Sequence, residues 1–249
     1  MNRFFAKSDN IFEDKIIIDG GDFNHIRNVL RIKAGEKLMI IGANSINYLC
    51  SVREYADKEV ILDIVSMENN NNELPSRIYL FQGLPKADKM ELIIQKCVEL
   101  GVYEIVPVNM KRCVAKLEGR KIDSKIQRWN AISESAAKQS GRGIIPQISN
   151  PVSFGEALKI CSDLKVKLIP YELEEGMEAT REAISGIKPG DSIGVFIGPE
   201  GGFDLSEIEK AKENDILPVS LGRRILRTET AGLALMSILM YHLETTEEK

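Results

Sequence analysis

The feature that most constrains this chain is the alternation of short apolar runs with helix-like segments after residue 75. The predicted strands are Arg77–Gln82, Glu104–Val108, Lys167–Tyr171, Ile193–Ile197 and Leu217–Leu221. The predicted helices are Lys86–Leu100, Ser124–Lys138, Asp204–Glu213 and Thr228–Leu243. Strands that alternate with helices in this way predict a parallel sheet covered on both faces. The pattern alone therefore predicts an α/β, doubly wound domain.

The first 70 residues follow a different pattern, which is rich in strand signals. The predicted strands there are Lys15–Ile18, Lys37–Ile41, Tyr48–Val52 and Val60–Val65. A helical segment over Asp22–Leu30 interrupts them, with Phe23, Ile26, Val29 and Leu30 on its apolar face. An asparagine run follows and ends at Pro75, which is typical of a linker. We predict a small β-barrel-like domain at 1–72 and an α/β domain at 73–249.

Composition excludes several classes of protein. No apolar run reaches the roughly 18 residues that a membrane span needs, and the N-terminus has no signal-like apolar stretch. We therefore expect a cytoplasmic protein without a membrane partner. The 4 cysteines and 2 histidines are isolated from one another in sequence, so we predict no metal site.

Charge is unevenly distributed along this acidic chain. The formal net charge is −4, yet residues 75–150 carry 13 basic and 7 acidic side chains. A local basic stretch on an acidic protein can engage phosphates, although a solvated helix face has the same composition. Charge alone leaves both interpretations open.

Two segments carry the strongest chemical signal, because each follows a predicted strand. In open α/β sheets, ligands bind beyond the carboxyl ends of the strands. Ile197–Phe203 reads Ile-Gly-Pro-Glu-Gly-Gly-Phe, and Leu221–Ala231 reads Leu-Gly-Arg-Arg-Ile-Leu-Arg-Thr-Glu-Thr-Ala. Glycines allow the backbone to approach a ligand closely, or they simply form tight turns. Neither segment fits a dinucleotide fingerprint or a P-loop.

Together these two segments resemble the signature of the RsmE family, which are SPOUT-class methyltransferases acting on uracil N3 in 16S rRNA. The resemblance extends to Arg3-Phe4-Phe5 and His25–Arg31 near the N-terminus. It also covers Lys86–Glu91, Gln95–Val102 and the stretch from Arg128 to Arg142. The resemblance therefore spans nearly the whole chain in order.

The resemblance implies a fold and partners that the pattern alone does not. The fold would be a C-terminal SPOUT domain with a deep trefoil knot, preceded by an N-terminal PUA-like β-barrel that binds RNA. The chain would form a homodimer and use S-adenosylmethionine as cofactor. Its substrate would be one uridine of 16S rRNA near the decoding centre, in the assembled or nearly assembled small ribosomal subunit.

Site residues follow from the same resemblance. The residues expected to bind the cofactor are Pro170, Ile197, Gly198, Glu200, Gly201, Leu221, Gly222, Ile225, Leu226, Thr230 and Ala231. The residues expected to contact RNA phosphates are Arg3, Arg27, Arg31, Arg112, Lys116, Arg128 and Arg142. The expected catalytic residues are Arg227 and Glu229.

The proposed reaction gives these two residues alternative roles. Uracil N3 holds its proton at neutral pH, so catalysis must remove that proton or stabilise the anion that forms. Arg227 would stabilise the anion, or it would form a salt bridge with Glu229 or Glu200. Glu229 would act as the base, or as a structural carboxylate at the start of the last helix.

Two departures from the family pattern affect the presumed RNA-facing region. Ser135 stands where the family has glutamate, and Cys113 ends a segment that usually reads Glu-Arg-Ser. Two other functions stay open. One is a SPOUT methyltransferase with another target, such as a tRNA ribose 2′-hydroxyl. The other is a non-enzymatic RNA-binding or ribosome-assembly protein.

Overall fold

A computed structural model describes residues 1–114, 120–172 and 176–247 of the chain. The chain divides into two compact units. The first comprises Met1–Glu73 and Ala137–Ile145, and the second comprises Leu74–Ala136 and Pro146–Lys249. The segment Ala137–Ile145 was expected in the α/β domain, and its grouping with the first unit is a finding of the structure.

The first unit is built on a five-stranded sheet. Its strands are β1 (Arg3–Ala6), β2 (Lys15–Asp19), β3 (Lys37–Gly42), β4 (Ile46–Tyr55) and β5 (Glu59–Asn69). The strand order is β1-β3-β4-β5-β2, in which β1 pairs parallel with β3 and the other pairs are antiparallel. Apolar side chains from alternating strand positions form its core, among them Ile16, Leu38, Ile40 and Leu62.

The predicted helix at Asp22–Leu30 is only partly correct. Helix α1 covers Gly20–Asn24 and continues as a π-helical turn over His25–Val29. Leu30 N–H donates to the carbonyl of His25, five residues earlier, at 2.9 Å. This wider turn rotates the following side chains away from the register of an α-helix. Val29, predicted on the apolar face, is consequently 70% exposed.

The asparagine run makes specific hydrogen bonds within the first unit. The Nδ2 groups of Asn70 and Asn72 donate to the Gly141 carbonyl at 3.1 and 2.8 Å. The Glu73 carboxylate accepts from the Gly143 N–H at 2.8 Å and from two guanidinium nitrogens of Arg142 at 2.8 and 2.6 Å. These side chains hold Ala137–Ile145 to the first unit.

The second unit contains the remaining strands and most of the helices. Its strands are β6 (Arg77–Gly83), β7 (Glu104–Asn109), β8 (Gln147–Ile148), β9 (Val152–Ser153), β10 (Val166–Pro170), β11 (Ser192–Ile197) and β12 (Leu217–Val219). Its helices are α2 (Lys89–Glu99), α3 (Arg120–Ser140, whose end groups with the first unit), α4 (Phe154–Ile160), α5 (Glu178–Ser185), α6 (Leu205–Glu213) and α7 (Thr228–Glu247).

These strands form one parallel sheet, which confirms the α/β prediction. The order is β12-β10-β11-β6-β7-β8, and β9 also pairs with β7. On one face Phe81 stacks on Phe196 at 4.4 Å between ring centroids, in a core shared with α4 and α6. On the other face α7 lies close to β6 and β11. A Cβ built on Gly232 of α7 would be 3.8 Å from both Gln82 and Ile197.

Several short elements were not predicted, namely the strands β1, β8 and β9, the helices α4 and α5, and the observed end of β12. Helices α4 and α5 span only about two turns each, which is too short for a clear apolar periodicity in the sequence. Strand β12 ends at Val219 rather than Leu221 because the Ser220 N–H donates to the Thr180 hydroxyl at 3.0 Å. Across the described parts of the chain, no helix combines the length and apolarity needed to cross a bilayer.

Candidate active site

A cavity of about 410 Å³ lies at the carboxyl ends of β10, β11 and β12. These three strands are neighbours in the sheet, so the segments that follow them meet at one edge. The lining residues are Lys89, Pro170, Tyr171, Glu172, Ile197, Gly198, Pro199, Glu200, Gly202, Phe203, Ser220, Leu221, Gly222, Arg223, Arg224, Ile225, Leu226, Arg227, Thr228 and Ala231. The two signature segments, 197–203 and 221–231, therefore lie together around one cavity.

Most of the expected cofactor residues line this cavity. The exceptions are Gly201 and Thr230. Gly201 instead lies against Arg112, whose Nη1 donates to the Gly201 carbonyl at 3.1 Å. A Cβ on Gly201 would lie 3.1 Å from the Arg112 Cβ, so a larger residue there would press on Arg112. Thr230 is exposed in the first turn of α7.

The two cavity loops are joined by a buried chain of hydrogen bonds. The Thr228 hydroxyl donates to the Gly198 carbonyl at 2.6 Å. The Gln82 side-chain amide donates to the Thr228 oxygen and to the Gly83 carbonyl, both at 2.9 Å. Gln82 and Thr228 are both buried, so water competes little for these bonds. The first residue of α7 is thereby fixed to the loop that follows β11.

Lys89 connects two carboxylates beside the cavity. Its Nζ lies 3.2 Å from Glu200 Oε1 and 3.2 Å from Glu229 Oε2. Burial raises the pKa of the Glu200 carboxyl, but the Lys86 backbone N–H and the Lys89 ammonium outweigh it and hold that pKa below its usual value. Burial lowers the pKa of Lys89, and its two carboxylate partners more than reverse this effect. Lys89 therefore stays protonated at neutral pH.

Lys89 was not predicted as a site residue from the sequence, although a signal was present. Lys89 is the first residue of α2, where the helix dipole disfavours a cation. A lysine at this position needs compensating negative charge, and its two partners are more than 100 residues away in sequence. The expected salt bridge of Arg227 with Glu200 or Glu229 is not seen among the described residues.

The expected RNA-binding residues differ in their surroundings. Arg3, Arg27 and Arg31 are exposed in the first unit, where Arg27 lies 5.6 Å from the Phe23 and Tyr55 ring centroids. In the second unit Arg112 is exposed, and Arg128 pairs with Glu91 at 2.7 Å. Lys116 lies outside the described residues.

Arg142 differs from the other predicted RNA contacts because its side chain is only 3% exposed. Its guanidinium group forms the two hydrogen bonds with Glu73 described above. A guanidinium group buried in this way cannot reach a phosphate without breaking that ion pair. We therefore assign Arg142 to the internal structure of the first unit and not to RNA binding.

No group of histidine, cysteine, aspartate and glutamate side chains able to hold a metal ion occurs within the described ranges. The chemistry of the cavity lining consists of apolar side chains, backbone groups of the two loops, and charged side chains at its edge. Such a combination suits an organic ligand that is bound by shape and by a few polar contacts.

Comparisons with known proteins identify the family of the chain. Residues 72–240 match the RNA methyltransferase domain family, and residues 18–65 match the RNA methyltransferase PUA domain. "Ribosomal RNA small subunit methyltransferase E" of Bacillus subtilis is 35% identical over 230 residues, which cover 91% of this chain and 90% of that protein. The protein of the same name from Aquifex aeolicus is 34% identical, covering 90% of this chain and 93% of its own length.

A solved structure is similar over the same extent. The crystal structure of ribosomal RNA small subunit methyltransferase E from Neisseria gonorrhoeae, bound to S-adenosylmethionine, superposes with a TM-score of 0.84. It is 29% identical in sequence, and the match covers 97% of each chain. The family matches together extend across both units described here. The chain therefore belongs to the RsmE family of RNA methyltransferases.

Proposed function

We propose that this chain uses S-adenosylmethionine to methylate N3 of one uridine of 16S rRNA near the decoding centre of the small ribosomal subunit, in the cytoplasm. The observation that carries the proposal is the cavity that the two signature loops form at the carboxyl ends of β10, β11 and β12. Relatives named for small-subunit rRNA methylation support the substrate, and a similar structure bound to S-adenosylmethionine supports the cofactor.

The cavity fits this cofactor in size and in chemistry. Its volume of about 410 Å³ lies within the range typical of small-molecule sites. Ile197, Leu221 and Leu226 offer apolar surface for a flat ring system, and Glu172 and Glu200 offer carboxylates for cationic groups. When bound, S-adenosylmethionine supplies an activated methyl group.

Arg227 acts on the uracil in this proposal. Its side chain is exposed at the cavity and makes no salt bridge among the described residues, so its guanidinium group is available to a substrate. As N3 gives up its proton to solvent, negative charge develops on uracil O2 and O4, and such a donor stabilises it. This availability favours the catalytic role of Arg227 over the structural alternative.

Glu229 takes the structural role in this proposal. Its side chain is 15% exposed, and the ammonium group of Lys89 lies 3.2 Å from Oε2. Glu229 is not among the residues that line the cavity, and Lys89 engages its carboxylate, so it is poorly placed to take a proton from the substrate. Glu229 therefore holds Lys89 and, through it, Glu200.

RNA binding and assembly complete the proposal. The exposed arginines Arg3, Arg27, Arg31, Arg112 and Arg128 contact phosphates and position the ribosomal RNA. The homodimer implied by the family is supported by α7, in which residues 233–240 are apolar except for Ser237 and the following Tyr241 is exposed. The trefoil knot and the closed N-terminal barrel are proposed on the family resemblance.

A methyl-transfer assay tests the function. Purified protein and labelled S-adenosylmethionine are offered to unmodified small subunits and, separately, to free 16S rRNA, and the digested product is analysed for N3-methyluridine. Arg227→Ala is expected to lower the rate by about a hundredfold, as the loss of one anion-stabilising donor does. Arg181→Ala, an exposed arginine of α5 outside the cavity lining, is the matched control and is expected to leave the rate unchanged.

Three results are distinguishable. A different methylated nucleoside, for example a 2′-O-methylribose in tRNA, would keep the reaction class and overturn the substrate. Binding of RNA without binding of S-adenosylmethionine would replace the enzyme with an RNA-binding protein. An equal rate for wild type and Arg227→Ala would remove the proposed role of Arg227.

A further inference from the structure

We infer that Arg223 and Arg224 bind the phosphates that flank the target nucleotide, while Ile225 packs against an unstacked neighbouring base. The three residues form the tip of the loop between β12 and α7, and we call them the loop tip. This inference deepens the proposed function, on which it rests, by naming the surface that receives the RNA strand at the cavity.

The loop tip is held between two fixed ends. At its start, Gly222 has φ +102°, and its N–H donates to the Ser220 hydroxyl at 3.2 Å. At its end, Thr228 is fixed by its buried hydrogen bonds to Gln82 and Gly198. All three residues of the tip line the cavity and are exposed. An anchored, exposed loop at a cavity can present side chains to a large substrate without being reordered first.

The charge of the loop tip is not compensated within the described residues. Two lysines near the cavity do have acidic partners: Lys89 has Glu200 and Glu229, and Lys111 has Asp204 at 3.1 Å. Arg223 and Arg224 make no salt bridge and no side-chain hydrogen bond in the parts of the chain that the structure describes. Guanidinium groups bind phosphate oxygens in a two-pronged geometry, and adjacent arginines on an exposed loop suit successive phosphates.

The exposure of Ile225 favours an RNA strand over a simple anion as the ligand of the loop tip. It is 85% exposed, more than any other large apolar side chain in the described ranges. Single-stranded RNA offers both charged phosphates and flat unstacked bases, so it can cover an apolar side chain that arginines flank. An enzyme that modifies a base must also expose that base from its stack, which creates such a surface beside the target.

The test measures RNA binding without cofactor, by fluorescence anisotropy of a short labelled single-stranded RNA with a central uridine. The affinity is determined over a series of salt concentrations. The double variant Arg223→Ala/Arg224→Ala is expected to reduce the slope of log K against log [salt] by about 1.4, because each lost phosphate contact on a single strand removes about 0.7. Ile225→Ser is expected to weaken binding at every salt concentration without changing the slope.

Controls separate this inference from its alternatives. Arg181→Ala removes one exposed arginine outside the cavity and is expected to leave the slope unchanged. An unchanged slope for the double variant overturns the inference. If calorimetry shows that the double variant loses S-adenosylmethionine instead, the arginines bind the cofactor carboxylate. If sedimentation shows a changed oligomeric state with RNA binding intact, the loop tip contacts a second copy of the chain.

Failure of this inference does not imply failure of the proposed function. The slope is measured on binding alone, whereas the function is measured by N3-methyluridine formation. If N3-methyluridine forms normally but the double variant leaves the salt slope unchanged, the proposed function stands. Only the RNA contact assigned to the loop tip is then overturned.

Discussion

At the scale of single side chains, Lys89 gives the clearest prediction about the stability of the fold. It holds Glu200 and Glu229 at 3.2 Å each, and Lys89→Met would leave two partly buried carboxylates close together without their cation. We expect the variant to lose about 1–2 kcal/mol of stability, less than a fully buried pair would lose, because the cluster is partly hydrated. Chemical denaturation measures this change.

Lys96→Met is the matched control for Lys89→Met, because it lies on the same helix and pairs with a single carboxylate, Glu99. We expect a change below about 0.5 kcal/mol, as is usual for an exposed pair. Lys89→Arg should recover most of the lost stability, since it keeps the charge. Equal losses for Lys89→Met and Lys96→Met would show that the Lys89 cluster contributes nothing particular.

Gly83 gives a second prediction at this scale. A Cβ at this position would lie 2.7 Å from the Pro199 backbone nitrogen, so Gly83→Ala must displace the loop after β11. We expect a loss of about 1–3 kcal/mol, typical of overpacking, together with weaker binding of S-adenosylmethionine. Gly155→Ala in α4 is the control, because nothing lies within 4 Å of its added Cβ, and it should be neutral or slightly stabilising. Thermal unfolding and calorimetric titration report both effects.

Single residues differ in how well the sequence predicts them. The glycines of the cavity loops could be predicted because they closely follow predicted strands. The partners of Lys89 and Arg142 could not be predicted. In each case the fold brings a carboxylate from a distant part of the sequence next to the cation. No local sequence pattern indicates such a long-range pair.

At the scale of elements, α6 shows how a helix start is stabilised. Asp204 and Glu207 form a capping box, and the Asp204 carboxylate also contacts Ser206 and Lys111. The Ser206 hydrogen bonds, followed by those from Lys111, lower the pKa of Asp204 to about 2. Because the pKa is lower in the folded state, this stabilisation is present above pH 4 and is lost as the pH falls towards 2.

Asp204→Asn therefore has a defined pH signature. We expect the melting temperature of the variant to fall less steeply than that of the wild type between about pH 4 and pH 2, and to be lower than that of the wild type at neutral pH. The exposed Asp57→Asn serves as control and should run parallel to the wild type. Parallel curves for Asp204→Asn would mean that this carboxylate does not stabilise α6 through its charge.

Elements were predictable where the pattern repeats. The alternation after residue 75 predicted five of the seven strands of this sheet and the longer helices, since buried parallel strands are apolar throughout. The two-residue strands β8 and β9 are too short to show such a pattern. The π-helical turn at His25–Val29 was not predictable, because one extra residue in a turn leaves no trace in an apolar pattern of this length. The short helices α4 and α5 lack enough turns to show a periodicity.

At the scale of the whole molecule, the proposed homodimer is testable through α7. Tyr241 is 70% exposed and directly follows residues 233–240 of α7, which are apolar except for Ser237. A charge at this position would disfavour burial against a second chain. We expect wild type to sediment at twice the chain mass of 27.8 kDa and Tyr241→Glu to shift towards the monomer. Ile160→Glu, at an exposed apolar position of α4, should not shift. A monomeric wild type would contradict the dimer.

The segment Ala137–Ile145 has a consequence for how the molecule is made. Because Asn70, Asn72 and Glu73 find their partners at Gly141–Gly143, the first unit is not a continuous stretch of chain. During synthesis, the N-terminal strands emerge long before these partners do. The hydrogen bonds of Asn70, Asn72 and Glu73 with Gly141 and Gly143 therefore cannot form until more than half of the polypeptide has left the ribosome. The first unit can be completed only while the second unit is being synthesised. A separately expressed N-terminal half lacks Ala137–Ile145 and so cannot complete the first unit.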